Sequence, residues 1–330
     1  MHRYKLSVIV PCFRVAPYIE RCARSLFAQT LDCMQFIFVD DCSEDDTIPR
    51  LEALLDEFPH VRWHTVIVRH DENKGLPTAR KTGMLYAQGE YIAHCDSDDY
   101  VEPTMYELLY NVARLKEADM VECGYWQDNG HFWRKRKASP SRDSGMADLL
   151  SGSMRPFVWC RIVRADRYEG VRFPTASYLE DWFVLVQLLH NCSRRVVLDT
   201  PLYYYCFNPT SLTRLSDAEI CRRKVRESLE NYAFIHDFIM QHYPVAEKDF
   251  DRTKINICLI FLPTWVATGD PSWRKAFLST FPEITPAVLF NPRLPWNYKK
   301  IYLEVLTGTY PLLANLRELY RKTRARLTRR

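Results

Sequence analysis

The chain has 330 residues, enough for one large domain with a smaller addition, and its 47% apolar and 26% charged residues exclude a disordered or fibrous protein. The net charge of +4 is concentrated in the last nineteen residues, which hold seven basic side chains and one acid. Because the rest of the chain is slightly acidic, it lacks the basic footprint of a nucleic-acid-binding protein, and we expect no nucleic-acid partner.

The first hundred residues alternate between short apolar runs, which are typical of buried strands, and longer stretches with apolar residues at helical spacing. We predict strands at 6–10, 36–39, 61–68 and 91–95. The helices predicted between them lie at 17–29, 47–58 and 77–88. Strands that alternate with helices indicate an α/β fold, here a Rossmann-like, mostly parallel sheet flanked by helices.

The same pattern continues beyond residue 103 and then fades. The elements predicted there are a helix to 116, a strand at 120–124, a polar hairpin and loop at 127–145, a helix at 179–189, a strand at 196–199 and an aromatic run at 203–205. From residue 217 onward only helical patterns remain, with several prolines after 250. We therefore expect an α/β domain over 1–215 and a helical region over 216–330.

The cysteine pattern and the lengths of the apolar stretches predict the cellular compartment of the protein. No two of the eleven cysteines lie within five residues of each other, which excludes CxxC zinc or redox motifs. The apolar run near the N-terminus ends after five residues at Pro11, so we interpret it as a strand rather than an export signal. The uncharged stretch 255–269 is too short for a transmembrane helix. Free thiols without an export signal predict a cytoplasmic protein.

Two clusters of acids follow predicted strands. Asp40-Asp41 ends the second strand, and Asp96-Ser97-Asp98-Asp99 follows the fourth. Ligands of open parallel sheets bind at the carboxyl ends of the strands, where these acids lie. Neither a dinucleotide fingerprint nor a P-loop follows the first strand. Phosphates would therefore be held through a divalent cation on carboxylates, as Mg²⁺ or Mn²⁺ commonly meets a diphosphate.

Four ordered segments carry a family resemblance over residues 4–215. SVIVPCF, FVDDCSEDDT, ENKGLPTARKTGMLYAQGEYIAHCDSDD and LEDW resemble the family 2 glycosyltransferases of the GT-A fold. The resemblance implies a metal-dependent, inverting transfer of a hexosyl or N-acetylhexosaminyl group from a UDP-sugar, with Mn²⁺ or Mg²⁺. The implied acceptor is a growing bacterial surface glycan, free or lipid-linked, of the capsule, lipopolysaccharide or exopolysaccharide type.

The resemblance also implies roles for single residues. Pro11 and Phe13 match positions that flank the nucleotide base, and Asp41 matches the acid that binds the uracil edge. Asp96 and Asp98 match the DXD motif of metal ligands. Asp98 is the more direct ligand in this match, and Asp96 lies nearer the ribose.

Three further donor-binding residues follow from the same match. Ser97 lies between the two DXD acids, and Arg80 matches a basic position beside the diphosphate. The family more often has Asn where Lys81 stands, which leaves that basic contact open. Arg214 belongs to a downstream segment that, in the family, closes over the diphosphate.

Asp181 of the Glu180-Asp181 pair matches the general base, which takes the proton of the acceptor hydroxyl. Its place near the start of a predicted helix favours the charged form, because the helix dipole is positive there. Two acids in the first turn of a helix are also common without any catalytic role, so that alternative stays open. We expect His94 to be a packed core histidine and Tyr203 to lie in the strand core.

Two other functions share this architecture. A sugar-1-phosphate nucleotidyltransferase would need a Gly-rich loop after the first strand, where this chain has PCFRVAP. A catalytically inactive glycosyltransferase-like scaffold is the second alternative. The intact acids at positions 41, 96, 98 and 181 argue against it.

The basic tail carries its own prediction. Apolar residues share one helical face there, at Leu312, Leu313, Leu316, Leu319 and Tyr320. Such a helix can lie on an anionic membrane, which would place the enzyme on the inner face of the cytoplasmic membrane. It can equally pack on the catalytic domain through those leucines, and the sequence leaves both alternatives open.

Overall fold

The computed structural model describes residues 2–138, 145–209, 211, 217–284, 287–292 and 294–327. The chain divides into two compact units. The first comprises Met1–Leu149 with Ser153–Pro209, and the second comprises Leu150–Gly152 with Thr210–Arg330. Residue 215, where we expected the α/β domain to end, lies outside the described residues.

Within the described residues, nine strands of the first unit form one sheet. They are β1 (Tyr4–Cys12), β2 (Met34–Asp40), β3 (Thr65–Arg69), β4 (Gly89–His94), β5 (Tyr100–Val101), β6 (Met120–Asp128), β7 (Trp133–Arg136), β8 (Arg161–Arg164) and β9 (Arg195–Tyr205). The strand order is β3-β2-β1-β4-β8-β6-β9-β5, and β7 pairs with β6. The strands β1 to β4 are parallel, as predicted. Beyond β4 the sheet is mixed, because β8, β7 and β5 run antiparallel to their neighbours.

The α-helices are α1 (Ile19–Phe27), α2 (Thr47–Glu57), α3 (Pro59–Arg62), α4 (Leu76–Tyr86), α5 (Met105–Lys116), α6 (Gly145–Ser151), α7 (Glu180–Asn191), α8 (Ala218–His242), α9 (Asp251–Cys258), α10 (Leu262–Thr268), α11 (Ser272–Thr280), α12 (Ala287–Phe290), α13 (Trp296–Thr307) and α14 (Tyr310–Leu327). Several predicted boundaries differ from the observed ones by a few residues, and the third strand is the clearest error. The strand expected at 61–68 begins at Thr65, because Pro59 opens the short helix α3 and Val61 belongs to that helix.

The parallel half of the sheet places the candidate site. β1 is buried along nearly its whole length, as its apolar run requires. On the face covered by α4, Gly83 allows a close approach to the strand, since a Cβ there would lie 2.4 Å from Ile9 Cγ2. The strand order reverses between β1 and β4. In open α/β sheets this reversal marks the crevice in which ligands bind.

The described part of the second unit, apart from its loops, is helical. Its long helix α8 is capped by Asp217, whose side chain accepts bonds from the N–H groups of Glu219 and Ile220. Tyr232 of that helix packs edge-to-face against Phe281, with ring centroids 5.4 Å apart. Among the described residues, no helix has both the length and the apolar character needed to cross a bilayer.

Candidate active site

The turn after β4 holds Asp96 to Asp99, and its last acid has a structural role. Asp99 is fully buried and accepts hydrogen bonds from the Tyr203 hydroxyl at 2.8 Å and from the Cys206 N–H at 2.7 Å. The same Tyr203 oxygen accepts a bond from the Asp96 N–H at 3.1 Å. Tyr203 of β9 therefore lies in the strand core, as expected, and also fixes the two ends of this turn.

Asp98 is half-buried within the turn. Its Oδ2 accepts a hydrogen bond from the side-chain amide of Asn208 at 2.8 Å, and its backbone carbonyl accepts one from the Arg21 guanidinium at 2.8 Å. Burial, and then the negative charge of Asp96, raise the pKa of the Asp98 carboxyl above its usual range. The ionised form is thus disfavoured by its surroundings, and a bound cation would relieve that penalty.

Arg80 of α4 joins this turn to a second acidic motif, whose Glu180 lies 100 residues along the chain. The Arg80 side chain is only 2% exposed. Its Nη2 donates to Asp96 Oδ1 at 2.9 Å and lies 3.7 Å from Asp181 Oδ1, while Nε donates to Glu180 Oε1 at 3.1 Å. Burial disfavours a charged guanidinium, but the carboxylates of Glu180, Asp96 and Asp181 raise the pKa of Arg80, which stays charged.

Glu180 and Asp181 open α7, directly after a residue in an unusual conformation. Leu179 has a φ of +64°, in the left-handed region that leucine rarely adopts. We expected the helix position to favour the charged form of Asp181. The structure shows the opposite, because burial and then the charge of Glu180 raise the pKa of Asp181 well above its usual range. A raised carboxyl pKa suits a group that must accept and release a proton.

The Asp41 carboxylate, directly after β2, accepts hydrogen bonds from the backbone of the loop before α4. Its Oδ1 accepts bonds from the Lys74 N–H at 2.8 Å and from His70 Nδ1 at 2.7 Å, and Oδ2 accepts one from the Gly75 N–H at 2.8 Å. The other His70 nitrogen lies 2.9 Å from Thr82 Oγ1. Gly75 has a φ of +85°, which favours glycine at that position. The carboxylate of Asp41, 4% exposed, therefore holds this loop in place.

The remaining predicted donor residues lie at the end of β1 and in the β4 turn. Pro11 is buried within β1, and Phe13 just beyond it is exposed. Ser97 is buried beside the Cys12 thiol, whose pKa is raised by its own burial. Arg214 lies outside the described residues.

The structure thus brings together residues from distant parts of the sequence. Asp96 and Asp181 meet at Arg80, while Asp98 follows Asp96 in the same turn. Pro11 and Asp41 lie at the carboxyl ends of neighbouring parallel strands, β1 and β2. Within the described residues, no group of three or more His, Cys, Asp and Glu side chains forms a metal site by itself.

Sequence reasoning missed three contacts that shape this site. It gave no role to Asn208 as a partner of Asp98, to the Tyr203 hydroxyl, or to Glu180 as a partner of Arg80. His94, expected in the core, is buried beside Tyr168, with ring centroids 6.1 Å apart. Burial, and then the charge of Arg80, lower the pKa of His94 well below its usual range, so this ring is neutral.

A family model matches the part of the chain that contains these residues. Residues 7–175, about half of the chain, match the model of glycosyl transferase family 2. The chain belongs to this family. The acids after β2 and β4 and the Arg80 side chain all fall inside the matched range.

Curated relatives agree with that assignment. The glycosyltransferase EpsJ of Bacillus subtilis is 28% identical over 281 residues, which cover 81% of this chain and 78% of the relative. The glycosyltransferase YibD of Escherichia coli K12 is 28% identical over 224 residues, which cover 64% of each chain. That second match spans a little less than two thirds of YibD.

Solved structures share the fold at low identity. S. aureus TarS 1–349 in complex with UDP-GlcNAc has a TM-score of 0.58 and 18% identity, covering 97% of this chain and 92% of that chain. The mannosyltransferase PcManGT from Pyrobaculum calidifontis, in complex with GDP-Man and Mn²⁺, has a TM-score of 0.54 and 16% identity, covering 96% and 88%. These likenesses confirm the predicted GT-A fold with its helical C-terminal region.

Proposed function

We propose that this protein transfers a hexosyl or N-acetylhexosaminyl group, with inversion, from a UDP-sugar to a surface glycan. Family membership supports glycosyl transfer, and the arrangement around Arg80 carries the finer proposal. A single buried guanidinium contacts a carboxylate of the DXD turn and both acids of α7. That arrangement would set a proposed metal-binding acid beside the proposed base, as a single-displacement sugar transfer requires.

The donor nucleotide is proposed to lie over the ends of β1, β2 and β4. Pro11 and Phe13 would flank the base there. Asp41 Oδ2 accepts a hydrogen bond from the Gly75 N–H. Because a carboxylate oxygen can accept two hydrogen bonds, Oδ2 could also accept one from the N–H of uracil. Asp96 and Ser97 would lie at the ribose.

The acids of the β4 turn fit a divalent cation, Mn²⁺ or Mg²⁺. Asp96 and Asp98 each use one oxygen in a described bond, to Arg80 and to Asn208 respectively. Mg²⁺ is usually held by one or two carboxylates together with substrate phosphates, which matches this donor set. When bound, such a cation neutralises the charge that develops on the leaving diphosphate.

Asp181 is the proposed base. Its carboxylate is held near Arg80 at the start of α7, where burial and Glu180 raise its pKa. It would accept the proton of the acceptor hydroxyl as that oxygen attacks the anomeric carbon, and the configuration at that carbon would invert. The Asp181 side chain is mostly buried but keeps 22% of its surface exposed, and an acceptor would reach it through that exposed part.

Arg80 itself is proposed to act on these acids rather than on the diphosphate. Its side chain is buried, and Nη2 and Nε are bonded to carboxylates. It would hold Asp96 and Asp181 at a fixed separation, as a positioning residue. Arg214 remains the proposed basic contact to the diphosphate.

The acceptor is proposed to be a growing glycan, free or carried on a lipid, reached at the cytoplasmic face of the membrane. Residues 1–215 would carry out the transfer, and residues 216–330 would shape the acceptor side. The B. subtilis relatives EpsJ and EpsH, at 28% and 29% identity over about four fifths of this chain, share the glycosyltransferase description.

The test is nucleotide release from a panel of donors. The protein is incubated with Mn²⁺ and, separately, UDP-glucose, UDP-galactose, their N-acetylated forms and GDP-mannose. We expect slow UDP release from one UDP-sugar, which Asp181→Asn slows further by about 10²–10⁴-fold although donor binding persists. The proposal fails if no donor is turned over faster by the wild type than by this variant. Binding without turnover would indicate the inactive scaffold.

A further inference from the structure

An apolar stripe runs along the outer side of α14. Leu312, Leu316, Leu319 and Tyr320 are each between 52% and 66% exposed. Their spacings of four, three and one residues place them on one helical face. Large apolar side chains are normally exposed singly, and a contiguous set of four marks an interaction surface.

The opposite side of α14 is fixed to the rest of the second unit. The Tyr310 ring stacks on Trp265 of α10, with centroids 6.2 Å apart. Seven residues further on, Arg317 forms an ion pair with Glu304 of α13. Tyr310 and Arg317 lie on one helical face, and Leu312 and Leu319 lie on the other. These contacts with α10 and α13 therefore lie on the face of α14 opposite the stripe.

The adjacent helix α13 carries a similar exposed face. Trp296 is 69% exposed, and Lys300 and Leu303, four and seven residues later, are exposed on the same face. Gly308 and Thr309 alone separate α13 from α14. Both helices therefore combine exposed apolar residues with positive charge. In α13 the charge comes from Lys300, and in α14 it comes from the basic sequence after Tyr320.

The charge that accompanies the stripe indicates its partner. After Tyr320 the sequence has six basic residues among ten and no acid. Amphipathic helices with apolar residues on one side and Lys or Arg around them bind the interface of anionic bilayers. Tryptophan is enriched at the same depth of a membrane.

We propose that the exposed faces of α13 and α14 form a docking surface for an anionic lipid bilayer. The leucines and Trp296 enter the headgroup region, and the positive charge of the sequence after Tyr320 adds electrostatic attraction to the anionic lipids. This inference rests on the proposed function in one respect, namely that the acceptor glycan is carried on a lipid. Vesicle binding itself needs neither donor nor acceptor.

The experiment is co-sedimentation of the full chain with two kinds of vesicle. One is made of phosphatidylcholine alone, and the other also contains about 30 mol% phosphatidylglycerol, which is anionic. The test variant is Leu312→Glu/Leu316→Glu. The matched control is Leu85→Glu/Leu115→Glu, which makes the same charge change at two leucines of the first unit that are 79% and 77% exposed. All three proteins are also assayed for UDP release in the absence of vesicles.

We expect the wild type and the control to bind the anionic vesicles, and high salt to weaken that binding. The test variant should bind about tenfold or more weakly, because each leucine loses its apolar burial. Unchanged UDP release by the test variant would show that this loss is independent of catalysis. Equal vesicle binding by test and control variants would overturn the proposal. So would concentration-dependent dimerisation of the wild type that the test variant alone abolishes, because a second copy would then cover the stripe.

Discussion

The acids after β2 and the acids after β4 resemble each other in sequence but differ in their surroundings. Asp41 is buried and receives two backbone N–H groups and the His70 ring. Asp98 receives one side-chain amide, and the charge of Asp96 adds to the effect of burial on its pKa. The fold therefore supplies the Asp41 carboxylate with three hydrogen-bond donors, whereas burial and the charge of Asp96 disfavour the ionised form of Asp98.

The difference separates Asp41, which holds a loop of the protein in addition to its proposed contact with uracil, from Asp98, whose carboxylate has fewer donors and is proposed to bind the cation. Ionised groups held without sufficient donors cluster at functional sites, where a ligand supplies the missing partner. Asp41 holds the loop of Lys74 and Gly75 whether or not a donor is bound. Substitution of Asp41 should therefore mainly lower the stability of the protein, whereas substitution of Asp98 should mainly lower its activity.

Asp98→Asn should give the largest loss of activity. The amide keeps the size of the side chain but removes the charge that would hold the cation, so sugar transfer should fall below detection. EDTA should silence the wild type in the same way, and added Mn²⁺ should restore it. Nucleotide release is the measurement. Full activity of the variant, or of the wild type in EDTA, would show that Asp98 has no metal-binding role.

Asp181→Asn should slow transfer by about 10²–10⁴-fold, because the amide cannot accept the acceptor's proton. Donor affinity, measured by titration of UDP and Mn²⁺, should be close to that of the wild type. A collapse of donor affinity together with the rate would assign Asp181 to the donor site instead.

Arg80→Lys should reduce kcat by about 10²-fold, because a lysine cannot hold Asp96 and Glu180 at once and the base is displaced. The KM for the donor should change much less. The matched control is Arg164→Lys, since Arg164 pairs with Asp119 and Asp166 but touches none of these acids. A rise in KM with an unchanged kcat would instead support the diphosphate contact implied by the resemblance.

Asp41→Asn should mainly affect stability. Its amide would turn an N–H₂ group toward a backbone N–H, which leaves a buried donor unpaired and costs about 1–3 kcal/mol.

Asp98→Asn should leave the free energy of unfolding unchanged or raise it when no metal is present. The raised pKa of Asp98 means that its ionised form destabilises the fold at neutral pH, and this penalty vanishes below its ordinary pKa, where the carboxyl is protonated in both states. Thermal unfolding in EDTA measures both effects, and a larger loss for Asp98→Asn would contradict the comparison.

Glu180→Gln should have the smallest effect, a shift in the pH–rate profile. The charge of Glu180 raises the pKa of Asp181, so its removal should lower that pKa. The acid limb of kcat/KM, along which the base becomes protonated, should then move to lower pH. Glu169→Gln, at a position outside the site, should leave the limb in place. A limb that moves upward or stays fixed in Glu180→Gln would remove Asp181 as the titrating base.

Sequence patterns sufficed for most of the parallel half of the fold, because β1, β2 and β4 are almost entirely buried and the flanking helices have apolar stripes. The half-buried strand β3 was predicted to begin four residues too early. They did not reveal β8, whose sequence RIVR has an arginine at each end. Arg161 is nevertheless buried there, with its charge paired to Glu122 of β6 at 2.9 Å. An arginine whose partner comes from another strand has no local signal.

The same limit applies to the candidate site. The acids at 96, 98 and 181 stand out through their motifs, whereas the burial of Arg80 depends on Glu180, which is distant in the chain. The donors to Asp98 and Asp99 come from Asn208 and Tyr203, more than 100 residues away. The position of Asp181 at a helix start suggested a favoured charge, but burial and Glu180 outweigh the dipole.

The most direct test compares thermal unfolding of the wild type and Asp98→Asn across a titration of UDP with Mn²⁺. A ligand that binds only the folded state raises the melting temperature in proportion to the logarithm of its concentration. The wild type should show this rise, whereas Asp98→Asn should start at an equal or higher melting temperature and rise little. An equal rise in both proteins would contradict the assignment of the β4 turn to the metal and its nucleotide.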